Sequence, residues 1–161
     1  MRAVVITDTS NRSVSIADIA DPTPDDDQIL VDVKACGVNF TDLLSIDGKY
    51  QNNPPPPFTP GKDAAGIVAG VGANVTNHKV GDRVIAHVIH GGMAEKAVCP
   101  AALAFSLPEG VEFEDAAAMG LAYLTGYLAL TRRGAMKTGE VVLVNGASGG
   151  VGLASISLAK A

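Results

Sequence analysis

The stretch with the most specific chemistry is Asn145-Gly146-Ala147-Ser148-Gly149-Gly150-Val151-Gly152, which follows the apolar run Val141-Val142-Leu143-Val144. Ala147, Gly149 and Gly152 fall on the three small-residue positions of a dinucleotide-binding turn, with alanine in the first. One small residue permits the tight turn, one lets the backbone approach a pyrophosphate, and one lets helix and strand pack closely. Backbone N–H groups around Ser148, Gly149, Gly150 and Val151, with the dipole of the following helix, stabilise phosphate charge there. The Ser148 hydroxyl offers one further hydrogen bond. Glycine clusters also make ordinary turns; a strand before this one and a helix after it favour nucleotide binding. A complete site needs a second strand, whose end separates NAD from NADP, and the chain stops before it. The sequence is therefore expected to hold a phosphate cradle without an adenosine pocket.

Metal and thiol chemistry find little support. The two cysteines, Cys36 and Cys99, have no close Cys/His cluster around them and read as small buried hydrophobes in a reducing compartment. His87 and His90 have a spacing that suits a metal on a helix, but they lie in or beside a strand pattern. Ordinary hydrogen bonding is the expected role for both.

Composition removes other classes. The formal net charge is −5 and no basic block occurs, which argues against nucleic acid or an anionic membrane as partner. No apolar run is long enough to cross a bilayer. The N-terminal Met1-Arg2-Ala3-Val4-Val5-Ile6 reads as a strand without the features of a signal peptide. A cytoplasmic location is expected.

Several short elements must position these residues. Residues 28–36 alternate, with Ile29, Val31, Val33 and Ala35 on one face. Strand runs are also predicted over 2–7, 13–19, 65–71, 83–88 and 95–99, each bounded by turn-forming residues. Frequent turns between short strands point to a barrel or sandwich. A short helix is expected over 41–46 with Thr41 as N-cap, and Pro54 to Pro57 as an extended loop. After Pro108 the pattern turns helical. Glu112, Glu114 and Asp115 suit a helix start, Gly120 is a candidate break, and Arg132-Arg133 before Gly134 mark the end. Residues 141–144 are predicted as a buried strand and 150–160 as a helix.

Ordered motifs run through this frame. They are Val33-Lys34-Ala35-Cys36-Gly37-Val38-Asn39 then Asp42; Thr59-Pro60-Gly61 then Asp63 and Gly66; and Val80-Gly81-Asp82-Arg83-Val84. Gly91-Gly92-Met93-Ala94-Glu95, Leu107-Pro108-Glu109-Gly110, Leu124-Thr125-Gly126-Tyr127 and the glycine loop complete the set. In order and spacing the chain resembles the zinc-independent medium-chain dehydrogenase/reductases, in particular the zeta-crystallin-like NADPH:quinone oxidoreductases. The resemblance implies a β-rich, GroES-like, partly open barrel (residues 1–120) followed by the first βα unit of a truncated α/β Rossmann domain (residues 121–161). It implies NADPH as cofactor, hydride transfer to a small quinone or conjugated enone, and a full-length parent that pairs as a homodimer.

It also implies roles for particular residues. Asn39 stands where zinc-dependent relatives have a zinc cysteine, and Gly61-Lys62-Asp63 where they have Gly-His-Glu, so no metal is expected. An ammonium does not ligate at neutral pH. Asn39 is a candidate for the nicotinamide ribose or the substrate, or else a turn residue. Tyr50, in Gly48-Lys49-Tyr50, is a candidate hydrogen-bond donor to the substrate, or else a packing anchor. Thr125 is a candidate contact on the nicotinamide side. Leu44 stands where the family often has a further tyrosine, which bears on acceptor identity. Tyr123 and Tyr127 are expected in the core, and Met93, Met119 and Met136 as apolar fill. Two other readings remain: an enoyl-acyl thioester reductase of the same superfamily, and a catalytically inactive GroES-like binding domain.

Overall fold

Alternating sequence over ten residues gives the central strand of the main sheet. In the computed structural model, which describes residues 1–161, the strand Gln28–Gly37 (β3) buries Ile29 and Val31 completely. It lies between Asp63–Val71 (β4) and Lys96–Pro100 (β6). Arg83–His87 (β5) and Ala104–Ser106 (β7) extend the sheet, giving the order β6-β3-β4-β5-β7 with all pairs antiparallel. Arg2–Asp8 (β1) and Ser13–Asp18 (β2) form a separate hairpin. Single bridges, Ala3 to Ala94 and Ile6 to Phe58, tie β1 to the loops that carry the polar site. The sheet does not close on itself.

The core lies on one face of this sheet. Ile29, Val31, Val68, Val84, Val88 and Cys99 are all fully buried in it. A smaller cluster joins Ala65 to Ala116 and Ala117 at the start of the helix Phe113–Tyr127 (α2). Arg83 lies over the Phe113 ring, 4.6 Å from its centroid, and donates to the Val111 carbonyl, which anchors that helix start to β5.

The chain divides into two compact units, Met1–Ala118 and Met119–Ala161. Within the second, the turn of wider helix Leu128–Arg133 continues α2 and ends at Gly134, and Gly150–Lys160 forms α3. No helix is long and apolar enough to cross a membrane.

Several sequence expectations need correction. Gly120 does not break α2, which runs through it; a helix tolerates a single glycine at a cost of about 1 kcal/mol. Residues 141–144 are not a strand: nothing pairs with them, and Val141 and Leu143 are 98% and 87% exposed. An isolated apolar run without ladder partners leaves its backbone groups to solvent. Tyr127 and Met119 are exposed rather than core. Thr41 is not the cap of the first helix, Phe40–Ile46 (α1); Asn39 is.

Candidate functional site

Sheet register assembles the site. The β3–β4 ladder sets Gly37 opposite Asp63 at its end, which brings Asn39, two residues beyond, beside a carboxylate 24 positions away in sequence. The Asn39 side-chain nitrogen donates to Asp63 Oδ2 at 2.9 Å. A carboxylate only accepts, so this contact fixes the amide with its nitrogen turned toward Asp63 and one of its two N–H groups engaged there. His87, paired with Asp63 across the β4–β5 ladder, donates from Nδ1 to Asp63 Oδ1 at 3.3 Å.

A second carboxylate braces the same loop. Asp42, in the first turn of α1, accepts the Asn39 backbone N–H at 2.8 Å and the Gly61 N–H at 3.2 Å. A carboxylate there also suits the helix dipole. The Gly61 backbone has φ +98, and a Cβ would sit 2.5 Å from the Met93 nitrogen, so only glycine fits. That turn delivers Lys62 and Asp63 into the interior.

Asp42 and Asp63 are each 1% exposed and Lys62 is 4% exposed. Buried charges survive only when compensated. The Lys62 ammonium donates to the Ile89 carbonyl at 2.9 Å and lies over the Tyr50 ring, 4.2 Å from its centroid. Burial pulls its pKa below the ordinary lysine value, while Asp42 and Asp63 pull the other way. His90 is held below the ordinary histidine value chiefly by burial, against its 2.8 Å contact with the Asn52 carbonyl. Its ring meets Phe58 edge-on. The Cys36 thiol is pushed up to about 12 by burial and by the neighbouring Asp42 and Asp63 carboxylates. It is no nucleophile at neutral pH. Cys99, also raised to about 12 by burial, is core.

The donor set argues against a metal at this point. Asn39 and His87 both spend a nitrogen on Asp63, and a cation, Lys62, lies within electrostatic reach of both carboxylates. A divalent ion would have to displace these contacts and tolerate the ammonium. His87 and His90 bind different partners, Asp63 and the Asn52 carbonyl, as their strand setting implied.

Asn39 and Tyr50 are thus linked through consecutive residues: Asp63 holds the first and Lys62 lies on the second. Sequence reasoning used Lys62 and Asp63 only as evidence against zinc and missed them as parts of a polar cluster. The pairing of the third and fourth strands was the signal that could have located them.

The glycine loop stands in the second unit. Gly149 caps α3 with φ −82 and ψ 164, and the first intrahelical bond runs from the Leu153 N–H to the Gly149 carbonyl at 2.9 Å. No side chain caps this helix, so the N–H groups of Gly150, Val151 and Gly152 precede its hydrogen-bonded ladder. A Cβ on Gly152 would come within 2.3 Å of the Gly146 carbonyl oxygen and 2.8 Å of Ala147 Cα. That is the close approach the third small position requires. Ser148 and Gly149 are exposed and Ala147 half-buried. Thr125, on α2 in this unit, is exposed.

Residues 25–109 match the family described as the alcohol dehydrogenase GroES-like domain. The chain is 46% identical over 146 residues to the quinone oxidoreductase of Homo sapiens, covering 90% of this chain and 44% of that protein. It therefore spans less than half the length of that relative. Among solved structures, the human synaptic vesicle membrane protein VAT-1 homolog-like protein superposes with a TM-score of 0.92 at 35% identity. That match covers 98% of this chain and 52% of the other. The quinone oxidoreductase of Thermus thermophilus, solved also in complex with NADPH, gives 0.85 at 34% identity, covering 99% and 50%.

Proposed function

Because the chain belongs to the alcohol dehydrogenase GroES-like domain family, we propose that it acts in the NADPH-dependent reduction of a quinone or conjugated enone, without zinc. The observation that carries this reading is the Asn39–Asp63–Lys62–Tyr50 cluster, in a chain 46% identical to a quinone oxidoreductase. Lys62 stands where zinc-dependent relatives carry a histidine ligand, and an ammonium does not ligate a metal at neutral pH.

The loop suits a dinucleotide on its own geometry. Gly152 is required by the 2.3 Å approach to Gly146, and the start of α3 is uncapped. Ala147, Ser148, Gly149, Gly150, Val151 and Gly152 would hold the pyrophosphate through backbone N–H groups. Asn39 in the first unit and Thr125 in the second are each proposed, on the family resemblance, as cofactor contacts. When bound, NADPH supplies the hydride. The residues of this chain orient the acceptor and exclude water: Tyr50 offers a phenol, and the two carboxylates with Lys62 keep the site polar but dry. In this reading the working protein is a cytosolic homodimer.

The test is loss of nicotinamide absorbance when the chain, and any longer polypeptide that carries it, meets NADPH and a small quinone in the presence of EDTA. Turnover unaffected by the chelator supports the reading. Turnover abolished by EDTA and restored by zinc overturns the metal-free part. No turnover by either polypeptide overturns the whole.

A further inference from the structure

Lys62 is the least expected side chain in the site. A lysine 4% exposed gives up most of its hydration. An ammonium carries three donors. One is taken by the Ile89 carbonyl at 2.9 Å, and the Tyr50 ring face, 4.2 Å away at its centroid, receives the charge on a second side. A third N–H remains for a ligand. The segments that hold these partners carry apolar side chains turned to solvent: Ile89 is 61% exposed, and Leu43, next to Asp42, is 54% exposed. A buried polar donor in segments that also carry exposed apolar side chains suits an apolar molecule with one oxygen to bury.

We propose that Lys62 Nζ is the catalytic donor to the carbonyl oxygen of the acceptor, so that the site selects acceptors that gather negative charge on that oxygen. This rests on the oxidoreductase reading above. When a quinone or enone takes up hydride at carbon, the electron pair of its C=O π bond moves onto oxygen. The oxygen accepts the Lys62 hydrogen bond more strongly as that charge grows. Lys62 gains and loses no covalent bond; the proton that completes the product comes from water. Burial disfavours the charge on Lys62 and the nearby Asp42 and Asp63 carboxylates oppose that effect, with His87 held on Asp63 and His90, Tyr50 and Cys36 as the other titratable neighbours.

The test compares wild type with Lys62→Met and Lys62→Arg in the polypeptide that shows quinone turnover. K62M is expected to lose roughly 10²-fold in kcat, with KM for NADPH unchanged. K62R is expected to recover part of the activity. The wild-type profile of kcat/KM against pH should fall on the alkaline side as the ammonium loses its proton, and K62R should lack that limb. Without NADPH, 4-nitrophenolate, an aromatic oxyanion, should bind wild type roughly tenfold more tightly than K62M. If wild type turns over quinone and K62M does so equally well, the role of Lys62 is overturned while the oxidoreductase reading stands. If wild type shows no turnover, that reading fails first. Should K62M fail to fold, K62R decides: an alkaline limb that persists in it overturns the proposal.

Discussion

Asp63 Oδ2 and the Asn39 side-chain nitrogen lie 2.9 Å apart, and this contact fixes the orientation of the amide. The carboxylate only accepts, so the amide nitrogen is the end that faces Asp63, with the backbone of Asn39 held in turn by Asp42.

Asn39→Ala removes a hydrogen bond to a charged group and should cost about 2 kcal/mol of stability. The urea midpoint is expected to fall with an unchanged slope. An unchanged midpoint would mean that Asp63 is equally well satisfied by its other partners.

Gly61→Ala should be more disruptive than its one added methyl suggests. The position has φ +98 and a Cβ there would meet the Met93 nitrogen at 2.5 Å. A strained backbone of this kind costs roughly 1–3 kcal/mol, and relief would shift Lys62 and Asp63 together. Thermal melting should show the loss and, on the proposed function, the rate of quinone reduction should fall further than stability alone explains.

Gly152→Ala probes the second unit. The 2.3 Å clash with the Gly146 carbonyl must open the loop, at a cost of about 1–3 kcal/mol. Protection of residues 145–152 from proteolysis by NADPH should be lost in the variant and present in wild type. Equal protection in both would remove the loop from the cofactor site.

The half-buried Cys36 and the buried Cys99 give an alkaline signature. Both are held at about 12, against an ordinary value of 9.0. The native chain thus keeps protons that the unfolded chain releases, and stability, complete below pH 9, declines as pH rises towards 12. Each protonated thiol contributes a slope of about 1.4 kcal/mol per pH unit in that window. Lys62 acts in the opposite sense, because its lowered pKa means that the unfolded chain binds more protons just below 10.5. The thiol effect is therefore read as the difference between wild type and a C36A/C99A double variant. Parallel pH curves for the two proteins would contradict it.

Much of the fold was legible because alternation is a local signal. Residues 28–36 announced β3 through Ile29 and Val31, and both are fully buried. The helix over 150–160 coincides with Gly150–Lys160. What failed were features set by distant partners. Residues 141–144 have the composition of a buried strand, but composition does not supply a neighbour to pair with. Residues Ala104–Ser106 make a strand of three residues, too short to alternate visibly, and it exists because β5 accepts it. Asn39 was legible as a candidate from its motif. Its partner Asp63 was not, since their contact depends on the β3–β4 register.

That register carries a further consequence. Asp63 stands at the end of a ladder in which successive side chains point to opposite faces, already shifted between Val33 and Ala35 by an irregularity. Its carboxylate meets Asn39 and His87 only because the count of residues from there to the strand end has one parity. Inserting a single residue between Ala64 and Gly66 would turn the carboxylate away while leaving every apolar residue type intact; inserting two would restore its side. The chemistry of this site is thus inherited as an odd-or-even property of the backbone, and its loss can leave a folded sheet behind.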